Sequence, residues 1–169
     1  MYNDELKAKI QAFFKDKKRI VIVQGDNPDA DSLSSSLALE QILSTFDIEP
    51  YMYCSIDVAH HLRYLTGWDR VSTEIPSSFD AWILVDCEYT RLLDNVQSAG
   101  ILPRLKTKPL LVIDHHDSPT DIDFAELVIN DPGSGATGEV IYKISELCSW
   151  EINNSAAEFL TVSILADTL

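Results

Sequence analysis

A chain of 169 residues, 46% hydrophobic and 24% charged, has the make-up of one globular domain with a sizeable core. Its formal net charge of -14 argues against a surface that tracks long duplex DNA, because such affinity comes from lysines and arginines that neutralise phosphates. No apolar run approaches the roughly 20 residues needed to span a bilayer, and residues 1–5 lack the basic and apolar regions of a signal peptide, so no membrane partner and a cytoplasmic location are expected.

Asn3 is placed to cap a predicted helix in which Leu6, Ile10, Phe13 and Phe14 recur at helical spacing. Residues 15–19 read as its basic end and turn. Ile20-Val21-Ile22-Val23 is the first predicted buried strand, followed by a loop over 24–32 and an apolar-periodic helix through Leu33, Leu37, Ile42, Leu43 and Phe46. Asp29 and Asp31 in that loop have two readings. Asp31 or Ser32 can simply cap the helix. Alternatively, two carboxylates two residues apart at a strand end can face one cation or divide between two, and a cation relieves the repulsion that would otherwise raise a pKa.

Residues 51–54 read as a second strand and 58–65 as a short helix carrying His60 and His61, which have no acid at ligand spacing and are set aside. Ala81-Trp82-Ile83-Leu84-Val85 is a further apolar strand, and it ends in Asp86. Arg91 follows in a predicted short helix, as a surface charge or as a cation facing the same crevice. Leu110-Leu111-Val112-Ile113 then runs into Asp114-His115-His116, introduced by Pro109 and closed by Asp117-Ser118-Pro119. A continuous apolar run of this kind suits a strand covered on both faces of a parallel sheet, and ligands collect where such strands end. Asp114 as a turn cap beside two surface histidines is the competing reading of these residues.

Leu127-Val128-Ile129 reads as another strand. The glycine-rich stretch 130–139 after it lacks the lysine of a P-loop and reads as a connector, although amides and hydroxyls at a helix start can cradle an anion. The next helix carries Val140, Ile141, Ile144, Leu147 and Cys148 on one face. Ser155-Ala156-Ala157-Glu158 matches a capping box opening a nearly all-apolar helix, expected to be buried, that leads to Asp167. Cys54, Cys87 and Cys148 are odd in number and widely spaced, which suits reduced thiols rather than disulfides or a thiolate zinc site. Strands alternating with helices, without repeats or long linkers, predict a single α/β domain with a largely parallel β-sheet flanked by helices.

The acids and imidazoles that follow apolar segments are Asp29, Asp31, Asp86, Asp114, His115, His116 and Asp167. Carboxylate mixed with imidazole suits manganese and similar divalent ions. Four motifs, Asn27-Pro28-Asp29-Ala30-Asp31, Leu84-Val85-Asp86, Val112-Ile113-Asp114-His115-His116 and Ile164-Leu165-Ala166-Asp167-Thr168, resemble in order those of the DHH phosphoesterase family, over nearly the whole chain. The resemblance implies a Rossmann-like DHH domain that binds Mn2+ or Mg2+, two ions in all, and hydrolyses phosphoester or phosphoanhydride bonds. It further implies Asp29, Asp31, Asp86, His115 and Asp167 as metal ligands, with Asp86 bridging. Asp86, His115 and His116 would be the catalytic set, with His116 on metal or phosphate and Asp114 orienting an imidazole. Arg91, Ser134 and Thr137 are candidate phosphate contacts.

Two departures accompany it. Many family members carry a histidine four residues before the first motif aspartate, where this chain has Gly25, so Asp26 is a candidate substitute. Members also continue into a smaller C-terminal substrate-binding domain, which is expected to be absent here. The expected substrate is a small nucleotide or short oligonucleotide, as in the nano-RNase and pAp phosphatase branch. Pyrophosphate or polyphosphate, single-strand exonuclease action, and a non-hydrolytic nucleotide-binding module are the alternatives, and assembly as a homodimer is left open.

Overall fold

The computed structural model describes residues 1–87, 93–118 and 122–169. Five strands, β1 (Arg19–Gln24), β2 (Glu49–Tyr53), β3 (Ala81–Val85), β4 (Leu110–Asp114) and β5 (Leu127–Asn130), form one sheet in the order β2-β1-β3-β4-β5. Every pairing is parallel. The fold is α/β, with helices on both faces of the sheet. This accounts for the unbroken apolar runs of the central strands. Ile20, Ile22, Ile83, Val85, Leu111 and Ile113 enter one core, and the alternate residues Val21, Val23, Trp82, Leu84, Leu110 and Val112 enter the other. Each fully buried aliphatic side chain contributes about 1.5–3 kcal/mol, so a polar residue in these runs would be costly on either face.

The first core is closed by α1 (Asp4–Phe14), α2 (Ala30–Leu43), α5 (Thr137–Cys148) and α6 (Asn154–Thr168). The short helices α3 (Asp94–Ser98) and α4 (Leu102–Leu105) cover the second through Val96, Leu102 and Leu105. Helix α2 is buried nearly all round because it lies between the sheet and α6. Its serines make that tolerable. They are small, and Ser34 and Ser36 return their hydroxyls to the carbonyls of Ala30 and Ser32.

Several expectations change. Helix α6 is not buried throughout: only Ala156, Phe159, Leu160 and Ser163 are, and Leu165 stays 47% exposed. Lying outside α2, it presents a single stripe to its neighbours, so its outer apolar residues face solvent. Its cap is Asn153, whose side chain accepts from the Ala156 N–H at 2.9 Å, rather than Ser155. The expected helix over 58–65 shrinks to one 3-10 turn at His60–Leu62, too short to nucleate more. Phe46 lies past the end of α2 and packs edge-on to Trp150. The expected short helix at Arg91 falls outside the described residues. No helix among the described residues is long and apolar enough to cross a membrane.

The chain leaves β1 to form β2 on one side and places β3 on the other. The carboxyl ends of β1 and β3 therefore flank a switch point, where loops diverge and a crevice opens.

Candidate metal centre

Each strand end at that crevice contributes chemistry. After β1, Asp29 is the N-cap of α2, its Oδ1 accepting from the Ser32 N–H at 2.9 Å. Asp31 lies in the first turn of α2 and is completely buried. Its Oδ1 accepts from the hydroxyls of Ser35 at 2.9 Å and of Ser163, and its Oδ2 from the Thr137 N–H at 2.8 Å. A carboxylate has about four acceptor positions, and these three donors fix it while Oδ2 keeps one position free and lies 3.6 Å from His115 Nε2.

After β3, Asp86 turns into the left-handed region at φ 53. This costs an L residue about 1–2 kcal/mol, and aspartate is among the residues that tolerate it. The turn is held by the Asp86 N–H, which donates to the Ile113 carbonyl of β4 at 3.0 Å. The side chain accepts from the hydroxyls of Ser32 and, at 3.1 Å, of Thr137. Its carboxyl is pushed up to about 7, first by burial and then by the negative charge of Asp31, against the opposing hydrogen bond from Ser32. Asp167, in the last turn of α6, is likewise raised by burial and then by Asp31 and Asp29.

After β4, the two histidines diverge. His115 Nε2 lies 3.2 Å from Asp167 Oδ2 and 3.6 Å from both Asp31 Oδ2 and Asp86 Oδ1. That nitrogen is buried and makes no hydrogen bond. His116 Nδ1 is 2.8 Å from Asp114 Oδ1, and a proton donated from Nδ1 to that carboxylate would leave Nε2 as the ring's metal-binding nitrogen. Asp114, fully buried at the end of β4, thus orients His116 and not His115.

The donor set fits a divalent cation. Nitrogen and oxygen ligands at about 2.0–2.2 Å from one ion stand roughly 3.0–3.5 Å apart, near the separations around His115 Nε2. An unbonded imidazole nitrogen among three carboxylates, two of them raised, is the arrangement a cation relieves. Among the described residues, two sets of potential ligand atoms lie within 4.8 Å of one another: Asp31, His115 and Asp167, and Asp86, His115 and His116.

Other expected residues stand apart. Asp29 belongs to neither set, and its charge reaches Asp86 and Asp167 from the cap position. Asp26 is held elsewhere, one oxygen accepting from the Ser55 hydroxyl and the other from the Asn95 N–H, both at 2.6 Å. It is in neither ligand set. Ser134 donates to Asp131 at 2.9 Å and accepts from Lys143 at 2.9 Å, inside a separate network that includes Tyr2. Thr137 faces the centre but binds two of its carboxylates, Asp31 and Asp86. Arg91 lies outside the described residues. His60 and His61 are exposed. The site roles of the hydroxyls Ser32, Ser35 and Ser163 were overlooked in sequence; for Ser163 the available signal was a serine within the largely apolar stretch Phe159-Leu160-Thr161-Val162-Ser163-Ile164-Leu165.

The family model for the DHH family, N-terminal domain, matches residues 19–166, and the chain belongs to that family. It is 23% identical over 154 residues to the bifunctional oligoribonuclease and PAP phosphatase NrnA of Mycoplasma pneumoniae, covering 89% of this chain and 46% of the relative. The Bacillus subtilis protein of the same name is 24% identical over 155 residues, covering 88% and 46%. The chain thus spans about half the length of the curated relatives it matches. Among solved structures, an exopolyphosphatase-related protein from Bacteroides fragilis superposes with a TM-score of 0.85 at 20% identity, over 98% of this chain and 51% of that one. The exonuclease RecJ bound to manganese gives 0.52 at 21% identity, over 97% and 42%.

Proposed function

We propose that this DHH-family chain is the metal-binding core of a phosphoesterase that hydrolyses small nucleotides or short oligoribonucleotides. The observation that carries the reading is His115 Nε2, buried, unbonded and within 3.6 Å of three carboxylates. Support for the substrate class comes from the relatives named as oligoribonuclease and PAP phosphatase. Manganese is the preferred ion, in keeping with the mixed carboxylate and imidazole donors and with the manganese held by the RecJ neighbour.

In this reading Asp31, His115 and Asp167 would hold one ion. Asp86 and His116 would hold a second, with Asp29 near enough for its charge to reach Asp86. Bound divalent metal supplies positive charge at the phosphoryl group and a water acidified toward neutral pH. The chain's own residues do the placing. Ser32 and Thr137 fix the Asp86 carboxylate, and Asp114 holds the His116 ring through Nδ1. The net charge of -14 makes the metal indispensable for a phosphorylated substrate, since the protein's own field repels it. The chain is proposed as one domain, cytoplasmic in location.

The test is a substrate panel with Mn2+: pAp, ribonucleotides of two to five residues, and pyrophosphate. Release of phosphate or mononucleotide is expected from pAp or the oligonucleotides, falling at least about 100-fold, or about 2.7 kcal/mol, in Asp86→Asn. Mn2+ uptake without turnover of any substrate would instead identify a non-hydrolytic module. Turnover of pyrophosphate alone would move the substrate class to phosphoanhydrides.

A further inference from the structure

Ser163 is the one buried polar residue on the inner stripe of α6, and it joins three helices at a single oxygen. Its hydroxyl donates to Asp31 Oδ1 on α2 and accepts from the Gly138 N–H of α5 at 2.9 Å. Ser35 Oγ, which also donates to Asp31 Oδ1 at 2.9 Å, lies 3.3 Å away. The approach of α5 to α6 is close enough that a Cβ on Gly138 would stand 2.1 Å from Ser163 Oγ. One helical turn beyond Ser163, Asp167 reaches His115 Nε2 at 3.2 Å.

The consequence for Asp31 is an asymmetric carboxylate. Two hydroxyls occupy Oδ1, whereas Oδ2 takes one backbone N–H and faces His115. We infer that Ser163 is a positioning residue that restricts Asp31 to monodentate coordination through Oδ2, and so tunes the centre toward small six-coordinate ions and against Ca2+. The chemistry is general: Ca2+ takes six to eight oxygens at longer range and accepts bidentate carboxylates, whereas Mn2+-sized and Mg2+-sized ions favour fewer, shorter bonds. Hydrogen-bonding partners of a ligand typically change metal affinity by about 10–100-fold when removed. The inference rests on the metal reading above.

The experiment is titration calorimetry of Mn2+ and of Ca2+ into the wild-type chain, Ser163→Ala and Ser145→Ala. Ser145 is the control, an equally buried hydroxyl that only returns to the Ile141 carbonyl within α5. Ser163→Ala is expected to bind Mn2+ about 10-fold more weakly while Ca2+ binding holds or improves, so that the Mn2+ to Ca2+ preference narrows about 10-fold. Ser145→Ala keeps the wild-type preference. An unchanged preference in Ser163→Ala, whether both affinities hold or both fall in parallel, overturns the inference, because a purely structural role weakens both ions alike. Should Ser163→Ala not fold, Ser163→Cys, which retains bulk and weakens the donor, is read against the same two outcomes. A wild-type chain that takes up no Mn2+ overturns the metal reading first and this inference with it, and that failure is distinct from a wild type that binds Mn2+ with an indifferent variant.

Discussion

Strand β3 is flanked by two aspartates that the fold treats in opposite ways. At its amino end, Asp80 accepts from the backbone N–H groups of Lys18 and Arg19 at 2.8 and 2.9 Å, and these bonds hold its carboxyl below the usual range. At its carboxyl end, six residues on, Asp86 is buried beside Asp31 in a left-handed turn, and its carboxyl is pushed up to about 7. One residue type thus does two jobs. Asp80 ties the start of β1 to β3 and stabilises the sheet. Asp86 is a charge the fold holds at a cost, which is the usual mark of a site kept for a ligand.

The sharpest way to break this comparison is Asp86→Asn. Mn2+ uptake and turnover are expected to fall at least about 100-fold, while the metal-free melting temperature stays level or rises, because a like charge leaves the buried cluster. A lower metal-free melting temperature would mean that Asp86 is structural after all.

Gly138→Ala comes next. The added Cβ collides with Ser163 and stands 3.4 Å from the Leu160 carbonyl, so α5 and α6 must separate. Overpacking of this kind costs about 1–3 kcal/mol, readable by urea denaturation, and it should weaken Mn2+ binding because Asp31 and Asp167 lie on either side of the joint. A variant as stable as the wild type would show that the helices yield freely and that the joint does not set the site.

The smallest effect belongs to Asp80→Asn, on the order of 1 kcal/mol, since the amide oxygen can still accept from both backbone N–H groups and only the charge is lost. Its sign with pH is fixed. The folded carboxyl titrates below its ordinary 3.8, so the contribution is fully present above about pH 4 and is lost as pH falls through the depressed folded value. Acid-denaturation curves of wild type and variant should therefore differ near neutrality and converge in strong acid. No convergence would assign the stabilisation to something other than the ionised carboxylate.

The central sheet was legible in sequence because β1, β3 and β4 are covered on both faces, which leaves no polar alternation to blur the runs. The acids and imidazoles were legible for the same reason, since each stands where an apolar run stops. Burial of α6 was not legible: its sequence is apolar enough for an enclosed helix, and only its position outside α2 leaves Leu165 to solvent. Nor did spacing show that Asp29 would cap α2 while Asp31 turned inward, or that Asp114 would pair with His116. Those outcomes depend on donors brought from far along the chain, Thr137 and Ser163 among them, which lie more than a hundred residues from Asp31.

The most direct measurement is an anomalous difference map from crystals grown with Mn2+. The expected result is one peak within about 2.0–2.4 Å of His115 Nε2, Asp31 Oδ2 and Asp167 Oδ2, with Asp31 Oδ1 still bonded to Ser35 and Ser163, and a second peak at Asp86 and His116. A strong peak elsewhere on the chain, or an empty cluster at saturating Mn2+, would contradict the metal centre and the function built on it.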